Sequence, residues 1–433
     1  MRGKHWTVIP ALVLMLSGWV PAQTGAERVW RSYFVPQAGR AYHSVIPFQY
    51  DNASVLMIGG YGFPGIIDIP SASPAVEDGG GFVGYDAWTS LNGSQWFRAG
   101  LPDSASSRIN ANLVELNSRL YFIGGIGEDA YSTGQVWTST DGLSWNLLTD
   151  TPPWGGRQEM AVAAFNGNLW LIGGMASVSD PGSEITGQTD YLPTDIWRSS
   201  DGANWELVNE SAPWGGCYGS RAVVFNGRIW LIGGLFTGGS IGYKAASTDV
   251  WSSADGLEWV SAQTDPPWSP RMGHACVVYD NRLWLIGGQD FESGNSLNDV
   301  WTTTNGENWI QELNIPWLPR QYHAATVVDG LQGPELWIVG GVSYTFLTLQ
   351  VPTYRYQFLP EVWIYGIPPA RYTITVDPPQ NGQIFLFPRP APDGTWEANT
   401  WLSAVAVPAR GYRLSSWTGV LSNRTSPREQ FLL

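Results

Sequence analysis

Apolar positions along the chain fall into short runs that recur in one register. The runs are LMIGG ending at Gly60, YFIGG at Gly125, LWLIGG at Gly174, Gly234 and Gly288, and LWIVGG at Gly341. Each follows a half-apolar segment that closes on Phe48, Leu116, Phe165, Phe225, Tyr279 or Val328. Polar pairs such as Asn117-Ser118, Asn166-Gly167, Asn226-Gly227, Asp280-Asn281 and Asp329-Gly330 separate segment from run in five of the six units. After a loop of variable length comes an acidic or amide residue, an apolar one, and a Trp: Trp88, Trp137, Trp197, Trp251, Trp301 and Trp363. The first five are each followed eight residues later by another, at Trp96, Trp145, Trp205, Trp259 and Trp309. Runs this short, bounded by Asn, Asp and Gly, predict strands rather than helices.

Each unit therefore predicts four strands, a to d, with tight a–b and c–d turns where Asn, Asp and Gly accept positive φ. The continuous apolar b strands imply burial on both faces. Strand a begins at an anchor: Arg40, Arg108, Arg157, Arg271 and Arg320, with Cys217 in that place in the fourth unit. The double glycine after an apolar strand, followed by a spaced aromatic pair, resembles the kelch repeat over residues 27–366. The resemblance implies an all-β, six-bladed kelch-type β-propeller. The sixth unit lacks its second Trp, because Pro368-Pro369 follow Trp363 instead. Residues 27–35 (ERVWRSYFV) supply a Trp at residue 30 and are expected to complete the sixth blade and close the ring, removing its free edge.

The ends read differently. Residues 1–22 carry Arg2 and Lys4, an apolar run and small residues at Val20-Pro21-Ala22, as in an export signal too short to span a membrane. A secreted, periplasmic or cell-surface protein of bacterial type is the expectation. Residues 371–433 read as a small β-module, truncated or incomplete because its expected final strand would follow Leu433. Asn381-Gly382, Ala409-Arg410-Gly411-Tyr412 and Trp417-x-Gly419 resemble the internalin-type B-repeat of bacterial surface proteins.

Charge narrows the partners. The net charge is −14, and losing the two positive charges of Arg2 and Lys4 would make it −16, which disfavours nucleic acid and anionic membranes. The two cysteines, Cys217 and Cys276, lie about five strand residues out of register, roughly 16 Å, so free thiols are expected.

Strand alternation puts the b–c and d–a loops on one face of the disc and the tight turns on the other. The longer loops hold Asp68, Glu77, Asp78, Asp180, Glu184, Asp190, Asp290 and Glu292 without a compact Ca²⁺-loop spacing, which favours solvated charge. The candidate ligand-binding residues are Arg40, Arg108, Arg157, Arg271 and Arg320, which could ring the channel mouth as a site for a carboxylate-bearing ligand. Trp154, Trp214, Trp268 and Trp317 in the d–a loops could stack on sugars. For both sets an architectural role weighs more: arginines bonded to carbonyls or a neighbouring blade's acid, tryptophans wedged between blades. His43, His274 and His323 share one repeat position with Ala111, Met160 and Ser220, which suits a packing slot better than a metal site.

The function expected is a binding module for a glycan or an extracellular protein, monomeric, without cofactor or metal. Resemblance to six-bladed sialic-acid mutarotases keeps a sugar-processing enzyme as the alternative. A copper oxidase of the galactose oxidase kind is excluded by blade number and ligand set. Ser139-Thr140-Asp141-Gly142 approaches the sialidase turn signature but lacks one residue between Asp and Gly.

Overall fold

The computed structural model describes residues 15–17, 27–35, 39–50, 53–62, 66–70, 82–83, 86–99, 108–127, 131–178, 189–237, 248–263, 265–347, 353–369, 371–375, 382–398, 400–409 and 428–432. Among them there are no helices, and the chain divides into two compact units. Trp30–Asp329 with Pro334–Tyr365 forms the larger unit.

That unit is a ring of six antiparallel sheets. Blade one is Ser44–Tyr50, Ala53–Ile58, Ala87–Ser90 and Trp96–Ala99; blade two is Asn112–Leu116, Arg119–Ile123, Val136–Ser139 and Asn146–Thr149. Blade three is Ala161–Phe165, Asn168–Ile172, Ile196–Ser199 and Glu206–Asn209; blade four is Arg221–Phe225, Arg228–Ile232, Val250–Ser253 and Val260–Gln263. Blade five is Ala275–Tyr279, Arg282–Asp290, Ser296–Thr303 and Ile310–Glu312. Blade six takes Ala324–Gly330, Gly333–Val339 and Glu361–Gly366 from one end of the ring and Val29–Phe34 from the other. The N-terminal strand is thus the outer strand of the sixth sheet, as the missing Trp required.

The turns follow their chemistry. Asn166 and Gly167 have φ of 48° and 73°, and Asn226 and Gly227 have 49° and 69°, the two-residue hairpin with both residues left-handed. In the c–d turns, the Ser139 hydroxyl accepts from Gly142 N–H at 2.8 Å and Asp141 accepts from Leu143 and Ser144 N–H. Trp145 Nε1 then donates to the Gly142 carbonyl at 3.0 Å. Blades three and four repeat the set at Ser199-Asp201 and Ser253-Asp255. The sialidase-like spelling is therefore turn chemistry.

The core lies between blades. Each c–d turn glycine backs onto an aromatic of the preceding blade: Gly256 on Trp170, Gly306 on Trp230, Gly202 on Tyr121, Gly142 on Phe48 and Gly93 on Trp337. Blade six has no such turn, and Tyr365 packs 6.1 Å from Trp284 of blade five. The b-strand runs are buried throughout, as in Leu169–Ile172 and Leu283–Ile286.

Several short strands add to the loop face. Val342–Leu347 and Thr353–Phe358, in the b–c connection of blade six, form a hairpin that pairs with Ile66–Pro70 from the b–c connection of blade one. Ala176–Val178 with Thr189–Tyr191 makes a hairpin above blade three.

The smaller unit comprises Met1–Val29, Gly330–Gly333 and Gly366–Leu433. In it Met15–Ser17 pairs with Thr373–Thr375, and Gly382–Phe387, Trp401–Pro408 and Arg428–Leu432 form a three-stranded sheet. Of the tail residues that carry the B-repeat resemblance, Asn381, Arg410, Gly411, Tyr412, Trp417 and Gly419 lie outside the described residues.

Candidate functional site

The anchor arginines are the residues the sequence singles out. Arg157 and Arg271 each make a two-toothed pair with the aspartate of their own strand c, Asp195 at 2.5 and 2.7 Å and Asp299 at 2.6 and 2.8 Å. Arg40 pairs with Asp86 at 2.7 Å and Arg320 with Glu361 at 3.2 Å. Arg108 meets an amide, Gln135, instead. Every one also donates to the carbonyl of the first glycine of its blade's pair: Gly59, Gly124, Gly173, Gly287 and Gly340. The acid in turn accepts from the first Trp, as in Trp197 Nε1 to Asp195 and Trp301 Nε1 to Asp299, both at 2.8 Å.

The second glycine of each pair completes the reason for the motif. Its N–H donates to the anchor carbonyl of the next blade: Gly60 to Arg108, Gly125 to Arg157, Gly174 to Cys217, Gly234 to Arg271, Gly288 to Arg320 and Gly341 to Arg40. These six bonds run once round the ring. With φ from 90° to 106° and a would-be Cβ no farther than 3 Å from a neighbouring atom, no other residue fits there.

The expectation that these arginines meet a ligand is corrected by their burial, at most 3% exposed, and by their bonds to carbonyls and carboxylates of their own blade. The acids belong to the same blade, not to the neighbour. Trp154, Trp214, Trp268 and Trp317 are also buried. Each packs on the tryptophans of the blade it leads into: Trp214 on Trp259 at 5.0 Å, Trp154 on Trp205, Trp268 on Trp309 and Trp317 on Trp30 at 4.4 Å. They offer no face to a sugar.

His43, His274 and His323 are buried too, their Cβ atoms against Gly60, Gly288 and Gly341. Burial, with Arg40 close by, lowers the His43 imidazole to about 3, so it is neutral. Among the described residues no three His, Cys, Asp or Glu side chains gather as metal ligands. Cys217 is buried and Cys276 half-buried; both are free, and burial pushes each thiol up to about 12. Asp290 accepts from the N–H and hydroxyl of Ser293, capping its own turn.

The polar side chains that reach the axis are ones the repeat pattern did not mark. Two residues after each anchor stand Tyr42, Asn110, Glu159, Gly219, Gly273 and Tyr322, all with positive φ between 49° and 70°. Backbone bonds link these across blades: Asn110 to Tyr42, Gly219 to Glu159, Tyr322 to Gly273 and Tyr42 to Tyr322. They form a collar where the inner strands begin, at the loop-face mouth of the channel. Tyr42 and Tyr322 lie with ring centroids 4.0 Å apart. Asn110 donates to Glu159 Oε1 at 3.1 Å, while Glu159 Oε2, in a side chain only 8% exposed, has no partner among the described residues. Burial raises the Glu159 carboxyl to about 7, with Arg221 acting against the rise. Arg221 of blade four is felt by Glu159 of blade three, His274 of blade five and Tyr322 of blade six, which places its charge in the middle of the ring.

Around this mouth the loop face exposes large apolar side chains: Tyr131 (52%), Tyr191 (48%), Phe291 (42%), Leu313 (75%) and Leu318 (48%). The turn face carries a shallow groove of about 470 Å³ between blades two and three, lined by Leu116, Arg119, Tyr121 and Asp201 among others.

Comparison with known proteins agrees with this geometry. The Kelch motif matches residues 270–302, from just before the blade-five anchor through its first Trp. The ring has the six-bladed, kelch-type propeller architecture. Beta-scruin of Limulus polyphemus is 27% identical over 228 residues, covering 52% of this chain and 23% of that protein. Alpha-scruin of the same species is 25% identical over 290 residues, 65% of this chain and 28% of its own length. A leucine-zipper-like transcriptional regulator 1 homolog of Drosophila melanogaster is 34% identical over 166 residues, 36% of this chain and 15% of that protein. The kelch propeller chain thus spans less than a third of the length of these relatives.

They overturn the secreted, periplasmic or cell-surface location expected from residues 1–22. The kelch relatives include a transcriptional regulator homolog and a tRNA wybutosine-synthesizing protein of Oryza sativa, and none is named as an exported protein. Of those 22 residues the structure describes only Met15–Ser17, a strand in a sheet of the smaller unit. Among the described residues no helix is long and apolar enough to cross a membrane.

Proposed function

We propose that this kelch propeller is a protein-interaction module that meets its partner with the loop face. The observation that carries the reading is the set of exposed apolar side chains there, Tyr131, Tyr191, Phe291, Leu313 and Leu318, on b–c and d–a connections from several blades. Isolated apolar side chains are ordinary on a surface, but aromatics spread over the loops of one rigid face are what an interface uses as anchors. The added strands Val342–Leu347, Thr353–Phe358 and Ile66–Pro70 give that face a further built surface. The match to the Kelch motif and the similarity to the two scruins support an interaction role. A glycan ligand loses its main support with the burial of the four d–a loop tryptophans. The sugar-processing alternative keeps only the channel carboxylate Glu159 in its favour.

The test is cross-linking with mass spectrometry in the organism of origin. Wild-type protein is compared with a Tyr131→Ser, Tyr191→Ser, Phe291→Ser variant and with a turn-face control, Leu257→Ser. A partner cross-linked to b–c or d–a loops, lost in the triple variant and kept in the control, supports the reading. A partner whose cross-links map to the turn face and survive the triple variant overturns it.

A further inference from the structure

Glu159 is the one anionic side chain in the collar at the channel mouth, and its Oε2 is buried and unpaired. A buried acceptor left without a donor costs about 1–3 kcal/mol, so a protein that keeps one invites a donor from outside. Arg221 stands within electrostatic reach yet makes no ion pair with it. Its Nε donates to the His274 carbonyl at 3.0 Å, and the rest of its guanidinium has no hydrogen-bond or ion-pair partner among the described residues. The mouth therefore holds an unpaired acceptor and, within electrostatic reach of it, a cation with donors to spare, beside the paired rings of Tyr42 and Tyr322.

A simple cation would be drawn to Glu159 and repelled by Arg221; a simple anion would meet the reverse. A ligand that carries both charges a few atoms apart satisfies both. We propose that the channel mouth binds a free amino acid, its ammonium on Glu159 and its carboxylate on Arg221. The amide of Asn110, held on Glu159 Oε1, orients the carboxylate so that Oε2 is the atom offered. Because the ligand stabilises ionised Glu159, affinity rises as the pH passes upward through the range where that group loses its proton, about 7. This site does not depend on the loop-face partner: substitutions at Tyr131, Tyr191 and Phe291 leave it intact.

Calorimetric titration of the full chain at about pH 8 tests the idea with glycine, alanine, leucine, phenylalanine, glutamate and lysine, beside propionate and propylamine as half-ligands. The expected result is a dissociation constant below about 1 mM for at least one amino acid, with both half-ligands weaker by about tenfold or more. Glu159→Gln and Arg221→Gln each lower that affinity by about tenfold or more while the circular dichroism spectrum is unchanged. Arg221 is only half-buried, so its variant keeps the test usable if the Glu159 variant misfolds. No amino acid binding at about 10 mM, half-ligands that bind as well as the whole, or affinity unchanged in the Arg221 variant overturns the proposal.

Discussion

Arg271 donates from both terminal nitrogens to Asp299, at 2.6 and 2.8 Å, and from one of them also to the Gly287 carbonyl at 3.0 Å. The guanidinium is fully buried. Removing it strands a carboxylate and a carbonyl and leaves a cavity under the glycine pair. Arg271→Ala is expected to cost about 3–5 kcal/mol in urea unfolding, and Arg271→Lys, which loses the fork, most of that. A loss below about 1 kcal/mol would show that the pair contributes little.

Blade two offers the reverse experiment. Arg108 is buried like the other anchors but faces Gln135, and burial lowers its guanidinium to about 10. Glu361 holds the equivalent place opposite Arg320. Gln135→Glu should therefore stabilise the ring by about 1 kcal/mol, since the desolvation of Arg108 is already incurred. An unchanged or lower melting temperature at neutral pH would refute this.

Gly306 sits in the c–d turn of blade five at φ 81°, and a Cβ there would come within 2.0 Å of the Trp230 ring. The ring is buried between blades and cannot retreat. Gly306→Ala is expected to destabilise by about 3 kcal/mol, more than the ~1 kcal/mol of the positive φ alone. Gly167→Ala, where φ is 73° but nothing lies within 4 Å, is the control that separates the two costs.

The Glu159 carboxyl has its folded pKa near 7, above its ordinary 4.5, so folding favours its protonated form. Its contribution to stability is complete below about 4.5 and is lost as the pH rises through about 7. Glu159→Gln, which cannot ionise, should gain stability over the wild type across that window, on the order of 3 kcal/mol at most. Thermal unfolding of both proteins between about pH 4 and 8 checks this; parallel curves would show that the carboxyl titrates normally.

The repeats made the fold legible, because every blade needs the same turn glycines, glycine pair and tryptophans, so these recur in register. The same fact hides a site. Arg157 and Trp154 repeat because each blade must bond its own strand c and cover its own outer strands, so repetition marked architecture. Glu159 and Arg221 are departures from their columns. The place of Glu159 is taken by tyrosine, asparagine or glycine elsewhere, and that of Arg221 by Ser44, Asn112, Ala161, Ala275 and Ala324. A charge appearing once in a column of small or neutral residues was the available signal. The hairpin of Val342–Leu347 and Thr353–Phe358 was not legible, because it lies in a b–c connection outside the repeat pattern and its outer partner, Ile66–Pro70, is about 290 residues away in sequence.

Val29–Phe34 is among the earliest strands of the ring to leave the ribosome, yet its partner Glu361–Gly366 is among the last. At ordinary synthesis speeds the wait is roughly half a minute. Through that interval Trp30 has neither Trp317 nor Tyr365 to lie against. Five sheets can assemble in order behind the ribosome, but the seam closes only when the ring's first and last strands meet. In a crowded polysome the first strand of one nascent chain can reach the open sheet of its neighbour, so the joint that seals a single ring is also where two rings would exchange ends.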